Sequence, residues 1–474
     1  MNGAASFWLT RMIFQRGMAL VYLIAFLTAL NQFRPLLGEH GLLPAAAFIK
    51  EVPFFESPSI FYAFPQDTAF SVAAWMGVLL SCFAMAGFSE RYGLWGSVSV
   101  WTVLWVLYLS FVNVGQVFYG FGWESILLEA GFYTIFLGPA NVPPPKIMIW
   151  ILRWLLFRIM FGAGLIKLRG DPCWRDFTCL DYHYETQPMP NPLSWYFHWG
   201  PAWTHHAGVA FNHLAELIAP FGYFVTGIMA TVAGFVTLLF QGLIMASGNL
   251  SWLNFLTIIL TIPTFEDKWL AAVLPLHPPA FISPSASLQM ASYGIAILVG
   301  LLSIRPIGNM LSPDQVMNTN YNPLHLVGTY GAFGSITRTR YEIVVEGTEE
   351  STLTSSTVWR EYEFKGKPGD PSRHPPQIAP YHLRLDWLLW FAAMSGYQQH
   401  PWFVPFMIKL LQGDPDILSL LKANPFPEKP PHFIRAELYE YHFTTPDERK
   451  KTGRWWKRQW AGDYFPAVSL ENRN

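Results

Sequence analysis

The chain has 474 residues, 52% of them hydrophobic and only 13% charged, about half the charged share of an ordinary soluble protein. A formal net charge of −1 and a pI near 6.9 leave no basic footprint for nucleic acid. Of 63 formal charges (31 basic plus 32 acidic), 26 precede residue 305 and 37 lie from there onward, which separates an apolar part from a water-facing part.

Crossing a hydrocarbon core takes about 17–25 apolar residues. Nine stretches are candidates: 17–33, 69–88, 92–113, 124–140, 147–167, 207–226, 228–248, 250–265 and 287–305. The fourth is the weakest, since it carries Glu124 and Glu129, and Pro220 breaks the sixth from the seventh. The first run is too long for a cleavable leader, and Arg11 and Arg16 precede it. Positive-inside logic then puts the N-terminus in the cytoplasm. The expected fold is a multi-pass α-helical membrane domain of about nine crossings (1–305) with a C-terminal soluble α+β domain (306–474).

By that count the 168–206 loop and the tail share the non-cytoplasmic side. The loop begins at "KLRGDPCWRDFTCLDYHYETQPMPNP", with seven formal charges and two of the three cysteines. Cys173 and Cys179 have five residues between them, and on an oxidising side they are expected to pair. Cys82, inside a crossing, reads as a small core residue. The sequon Asn249–Leu250–Ser251 lies on the loop's side, hugging the membrane, and makes Asn249 a candidate glycosylation site. Aromatics, His and Pro through residue 199 suggest an ordered extended path over the membrane surface, either a passive lid or a recognition surface.

Charge within a crossing is costly and so is a candidate for function. Arg153 is expected to reach lipid phosphate, while Arg158, near mid-depth, needs Glu124, Glu129 or Glu216 as partner. His213 and Glu216 share a helical face near His205 and His206, where packing is the expected role rather than metal. In the tail, "RYEIVVEGT" (340–348), "VWREYEFKG" (358–366) and "FIRAELYEYHF" (433–443) read as strands, with helices at 383–396, 402–411 and 415–422. No G-x-S-x-G, C-x-x-C, Walker A or dinucleotide motif occurs. No cofactor or metal is expected.

"GLIKLRGDPCWRDFTCLDYHYETQPMPNPLSWYFHW", "FNHLAELIAPF" and "SGNLSWLNFLTI" follow one another as in the lipase maturation factors, and the chain resembles that family. "GTYGAFGSITRTRYEIVVEGT", the stretch from Trp359 and Tyr362 through Arg384, Asp386 and Trp387, and "YFPAVSLE" continue the resemblance. It implies a multi-pass membrane protein of the endoplasmic reticulum that helps fold and assemble secreted homodimeric lipases, without catalytic residues. Its partners would be membrane lipid and immature lipases. A bacterial source would shift it to the cytoplasmic membrane. The loop residues Arg169, Asp171, Trp174, Asp176, Asp181, Tyr182, His183 and Glu185 then form the candidate client surface.

A weaker resemblance links "FGAGLIKLRGDPCW" to vitamin K-dependent γ-carboxylase-type membrane proteins. It would make Lys167 a catalytic base and the chain a membrane-embedded enzyme. A deep polar cavity beside Lys167 would favour that reading. Pairing of Lys167 with a carboxylate among Asp171, Asp176 and Asp181 would favour a scaffold.

Overall fold

The computed structural model describes residues 7–470. Among them six helices are long and apolar enough to cross a membrane: α1 (Trp8–Leu37), α2 (Asp67–Met85), α3 (Gly93–Val114), α5 (Lys146–Arg169), α7 (Ile228–Ser247) and α9 (Ala286–Leu311). Three shorter segments occupy the remaining expected crossings. They are α4 (Gly122–Thr134), α6 (Ala202–His213, continued by a π-turn at Leu214–Ile218 and a turn at Ala219–Gly222) and α8 (Leu253–Thr261). Of the about nine expected crossings, six therefore coincide with helices of spanning length and three with shorter segments. In α4 and α8 most side chains are buried within the bundle, whereas α6 keeps Trp203 and the continuing turns keep Ile218 and Phe221 exposed.

The nine segments run alternately between two ends of one bundle. At one end, Arg11 donates to the carbonyls of Ala140 (2.9 Å) and Val142, and Arg16 pairs with Glu90 (2.6 Å). Arg153 donates there to the carbonyls of Pro263 (2.8 Å) and Tyr223 (3.0 Å), so it satisfies two segment ends rather than lipid phosphate. At the other end sits the C-terminal region. Gln32 of α1 donates to the His382 carbonyl (2.6 Å), Asn113 of α3 to Pro323 (3.1 Å), and Asn249 after α7 to Pro376 (2.9 Å).

Helices α1 and α2 approach closely because Gly77 meets the Phe26 ring; a Cβ there would lie 2.4 Å from it. Phe33, Phe61, Phe70 and Phe111 pack tilted or edge to face beside this contact, with ring centres 4.7–6.1 Å apart. Cys82 does not join this core; it is exposed on the outer face of α2.

Among the described residues the tail carries all six strands: β1 (Arg340–Thr348), β2 (Arg360–Glu361), β3 (Glu363–Phe364), β4 (Leu421–Ala423), β5 (Phe433–Phe443) and β6 (Trp456–Val468). They form an antiparallel sheet in the order β2-β1-β5-β6 and a small β3-β4 ladder. Val344 faces Glu437, and Tyr439 faces Trp460. The expected helices appear as Arg384–Ala392, Phe403–Leu411 and Pro415–Leu420. One network of buried apolar side chains extends from Phe14 of α1 to Phe465 of β6, so bundle and tail share a core.

Candidate functional site

On the segments α4 and α6, the three buried carboxylates Glu124, Glu129 and Glu216 each take one base. Glu129 receives Arg158, and also the hydroxyls of Tyr133 and Tyr330 (both 2.6 Å). Of the three candidate partners, Arg158 thus uses Glu129, and it adds the Gly328 carbonyl at 2.7 Å. Glu124 takes Arg384 from the tail at 2.8 Å, with the Tyr108 hydroxyl on its other oxygen. The Arg384 guanidinium lies 3.4 Å over the Tyr119 ring and donates to the Phe118 carbonyl at 2.6 Å. Glu216 takes Lys167.

Lys167, in the last turn of α5, points across to α6. Its ammonium donates to Glu216 Oε1 and Asn212 Oδ1, both at 2.7 Å, and stands 4.8 Å over the Trp174 ring. Asn212 donates to the other Glu216 oxygen at 3.1 Å. The loop carboxylates are not its partners. Asp171 binds Arg338 through both oxygens (2.7 and 2.8 Å) and accepts the Cys173 and Ile336 amides. The Arg338 contact holds the Asp171 carboxyl down at about 2. Asp181 Oδ1 accepts from His205 Nδ1 at 2.7 Å, and Asp176 is exposed.

Beside Lys167 opens a cavity of about 970 Å³. Its walls come from α5, α6, α7 and α8, and its roof from residues 330–335 and the helix Arg384–Ala392. The lining is chiefly apolar. Its buried polar groups include the Lys167–Glu216–Asn212 cluster and the Gln241–Asn254 pair, joined at 2.6 Å. Close backbone approach lets the roof segment dock on α5: a Cβ at Gly162 would lie 2.7 Å from the Tyr330 carbonyl oxygen.

The 168–206 loop is not extended. It forms a 3-10 turn at Pro172–Trp174 and short helices at Leu180–Thr186 and Ser194–His198. Cys173 and Cys179 are disulfide-bonded and buried, with Cα atoms 4.8 Å apart. Trp174 donates to the Phe333 carbonyl (2.9 Å), and His213 bonds the Trp174 carbonyl (2.9 Å), a packing role. Arg169 donates to Gln315 (2.8 Å), the Arg338 guanidinium covers Tyr182 at 4.7 Å, and His206 is exposed. Alkylation of the native protein should leave Cys173 and Cys179 unmodified until a reductant is added; modification beforehand would contradict the bridge. A bridge closing so small a loop constrains local geometry above all.

The loop docks onto the tail through Glu185. Its carboxylate meets His442 Nδ1 at 2.9 Å and the Phe443 amide at 2.6 Å. Arg340 donates to the carbonyls of Glu185 (3.1 Å), Gln187 and Pro188 (3.0 Å), and Trp195 and Trp199 both donate to Thr444. Asn249 completes the clamp. It is buried, its nitrogen on the Pro190 and Pro376 carbonyls and its oxygen on the amides of Ile378 (2.8 Å) and Ala379 (2.9 Å). The sequon therefore marks a structural clamp, with no room for a glycan on the folded chain.

The remaining motif residues are structural too. Asp386 caps the Gly366 and Lys367 amides (2.6 and 3.0 Å), and Trp387 packs with His382, Trp123 and Phe121. Tyr362 packs on Phe426, and Trp359 lies under Arg435 at 4.2 Å. Sequence reading missed Asn212, Gln241, Asn254, Arg338, Arg340 and His442. A usable signal existed for Asn212, which stands one helical turn before Glu216 within an apolar run.

Loop docking carries a pH signature. Hydrogen bonds to Glu185, then Glu440, push His442 up to about 9 from 6.5. Its contribution is complete below about 6.5 and is lost as pH rises through about 9. Burial, then Lys167, pushes His183 down to about 4, so its contribution is complete above about 6.5 and is lost as pH falls toward 4. Amide-exchange protection over residues 180–199, corrected for intrinsic rates, should peak near neutrality and fall on both sides. A monotonic profile would contradict this pairing.

Comparison with known proteins follows the same two parts. Residues 9–272 match the family described as "Lipase maturation factor transmembrane domain", and residues 326–466 match "Lipase maturation factor C-terminal domain". The chain is 42% identical to lipase maturation factor 1 of Mus musculus, covering 98% of this chain and 88% of that protein. With lipase maturation factor 1 of Homo sapiens the identity is also 42%, over 98% and 89%. Lipase maturation factor 2 of Homo sapiens is 29% identical, over 98% of this chain and 83% of its own length. No solved structure matches.

Proposed function

The chain belongs to the lipase maturation factor family, and from that premise we propose that it is a membrane-bound maturation factor assisting the folding and assembly of secreted homodimeric lipases. The observation that carries this reading is end-to-end similarity: both family regions match in order, at 41–42% identity to the factor 1 proteins. The three short segments, running between the same two bundle ends as the six long helices, support a nine-crossing path. On that path residues 1–305 form the membrane domain and 306–474 the soluble one, with α9 carrying the boundary to Leu311. The end bearing Arg11, Arg16 and Arg153 faces the cytoplasm, and the loop and tail face the lumen of the endoplasmic reticulum.

Loop and tail act together as the client surface. Glu185, Arg340 and Asn249 lock them into one body, on which Tyr196 and Trp199 remain half exposed and Trp460 is 55% exposed on the edge strand β6. Exposed aromatics on a rigid frame suit recognition of an incompletely folded apolar surface. The enzyme alternative lacks support: Lys167 is neutralised by Glu216, and its cavity is mainly apolar.

Photoreactive side chains at Tyr196 and Trp460 should capture an immature secreted lipase, whereas one at Val232, exposed on the outer face of α7, should not. Equal capture at all three positions, or at none, would contradict the assignment of this surface.

A further inference from the structure

We propose that the cavity beside Lys167 binds one uncharged, acylglycerol-like amphiphile, admitted sideways from the bilayer between α6 and α7. Its volume of about 970 Å³ lies at the upper end of the roughly 300–1,000 Å³ of small-molecule sites. The mouth is lined by Trp203 (70% exposed), Ala207, Leu239 and Leu243, all outward-facing and, apart from a small alanine, large apolar groups. Such a mouth, spanning the first half of α6 and the last half of α7, suits entry by an acyl chain. Inside, Ile159, Met160, Phe211 and Phe240 offer a chain apolar contact.

The polar end selects the head. Charged residues lining the cavity are Lys167 and Arg169 against Glu216 and Asp314, two of each sign, so they sum to zero. Lys167 and Glu216 already cancel one another at 2.7 Å. A charged head would bring an uncompensated charge into a chiefly apolar space, which burial penalises. An ester or hydroxyl oxygen would instead meet unused donors. Lys167 has given two of its three N–H groups to Asn212 and Glu216. The Gln241 amide nitrogen, almost fully buried, finds only the Met160 sulfur at 3.4 Å, a weak acceptor. A polypeptide segment fits less well, because its repeating amides would find few partners along apolar walls.

The test uses the full chain, purified in mild detergent without any client, so its outcome is independent of lipase maturation. A monoacylglycerol with a photoreactive tail is the probe, and labelled peptides are read by mass spectrometry. Labelling should concentrate on residues 203–216 and 239–254 and be competed by unlabelled monoacylglycerol. Ala207→Trp, which fills the mouth from an exposed position, should lower labelling by about tenfold, and Gln241→Leu should weaken competition by about tenfold. Labelling spread evenly over outer faces such as Val232 and Ile297, unchanged by Ala207→Trp, would overturn the proposal. Equal or better competition by an anionic phospholipid or an apolar peptide would overturn it as well.

Discussion

Replacing Arg384 by Met should loosen the tail from the helical bundle and cost roughly 3–5 kcal/mol, because Glu124 would be left buried without its base. Both side chains are fully buried, and the guanidinium also satisfies the Phe118 carbonyl and covers Tyr119. The adjoining backbone is tied to α1, where Gln32 accepts the Arg384 amide at 3.0 Å. Removal of the charge therefore acts at the seam between bundle and tail. Adding Glu124→Leu to Arg384→Met should recover much of the loss, since an apolar pair of similar bulk carries no desolvation penalty. Limited proteolysis at the 312–339 connection reports the effect directly. Strictly additive losses in the double variant would show that the pair is not coupled.

Lys167 provides the second large effect and separates scaffold from enzyme. Lys167→Ala leaves Glu216 unpaired beside the cavity, and a loss of roughly 3–5 kcal/mol is expected, with most maturation activity. Lys167→Arg keeps the charge, and the adjoining cavity has room for the longer side chain. It should retain most activity. Glu216→Gln added to Lys167→Ala should restore abundance by removing the stranded charge. A base could not be replaced in this way, because a guanidinium stays protonated. Complete loss in Lys167→Arg, with normal abundance and an intact Cys173–Cys179 bridge, would point to chemistry at this lysine.

The long helices were legible because a long apolar run with at most two charges has few other uses, and α1, α2, α3, α5, α7 and α9 all show one, α5 in spite of Arg153 and Arg158. The short segments were legible as apolar but not as short: Glu124, Glu129 and Glu216 are hidden by partners that only the folded chain supplies. Residues of β1 and β5 were readable to their ends, since β-branched and aromatic residues fill them. Strand β6 was not. As an edge strand it turns Lys457, Gln459 and Trp460 outward and bends at Gly462, so its pattern lacks the alternation of a half-buried strand. The disulfide was readable from two cysteines in one charged loop. The Lys167 partner was not, because Asn212 and Glu216 lie 45 and 49 residues away, and nearer carboxylates competed for the assignment.

The same distance problem explains Asn249. A local motif, Asn-Leu-Ser, suggested an exposed acceptor, whereas the four tail groups that consume its amide lie 127–130 residues downstream. Local patterns identify elements; burial of polar side chains is decided by the partners that topology delivers.

The most direct measurement is the yield of active, dimeric lipase secreted by cells that lack their own maturation factor and are supplied with this chain. Active dimer should appear with the wild-type chain and with Lys167→Arg, and fall to background with Arg384→Met. Secretion of the same inactive lipase with and without the wild-type chain, expressed at normal abundance in the membrane, would contradict it.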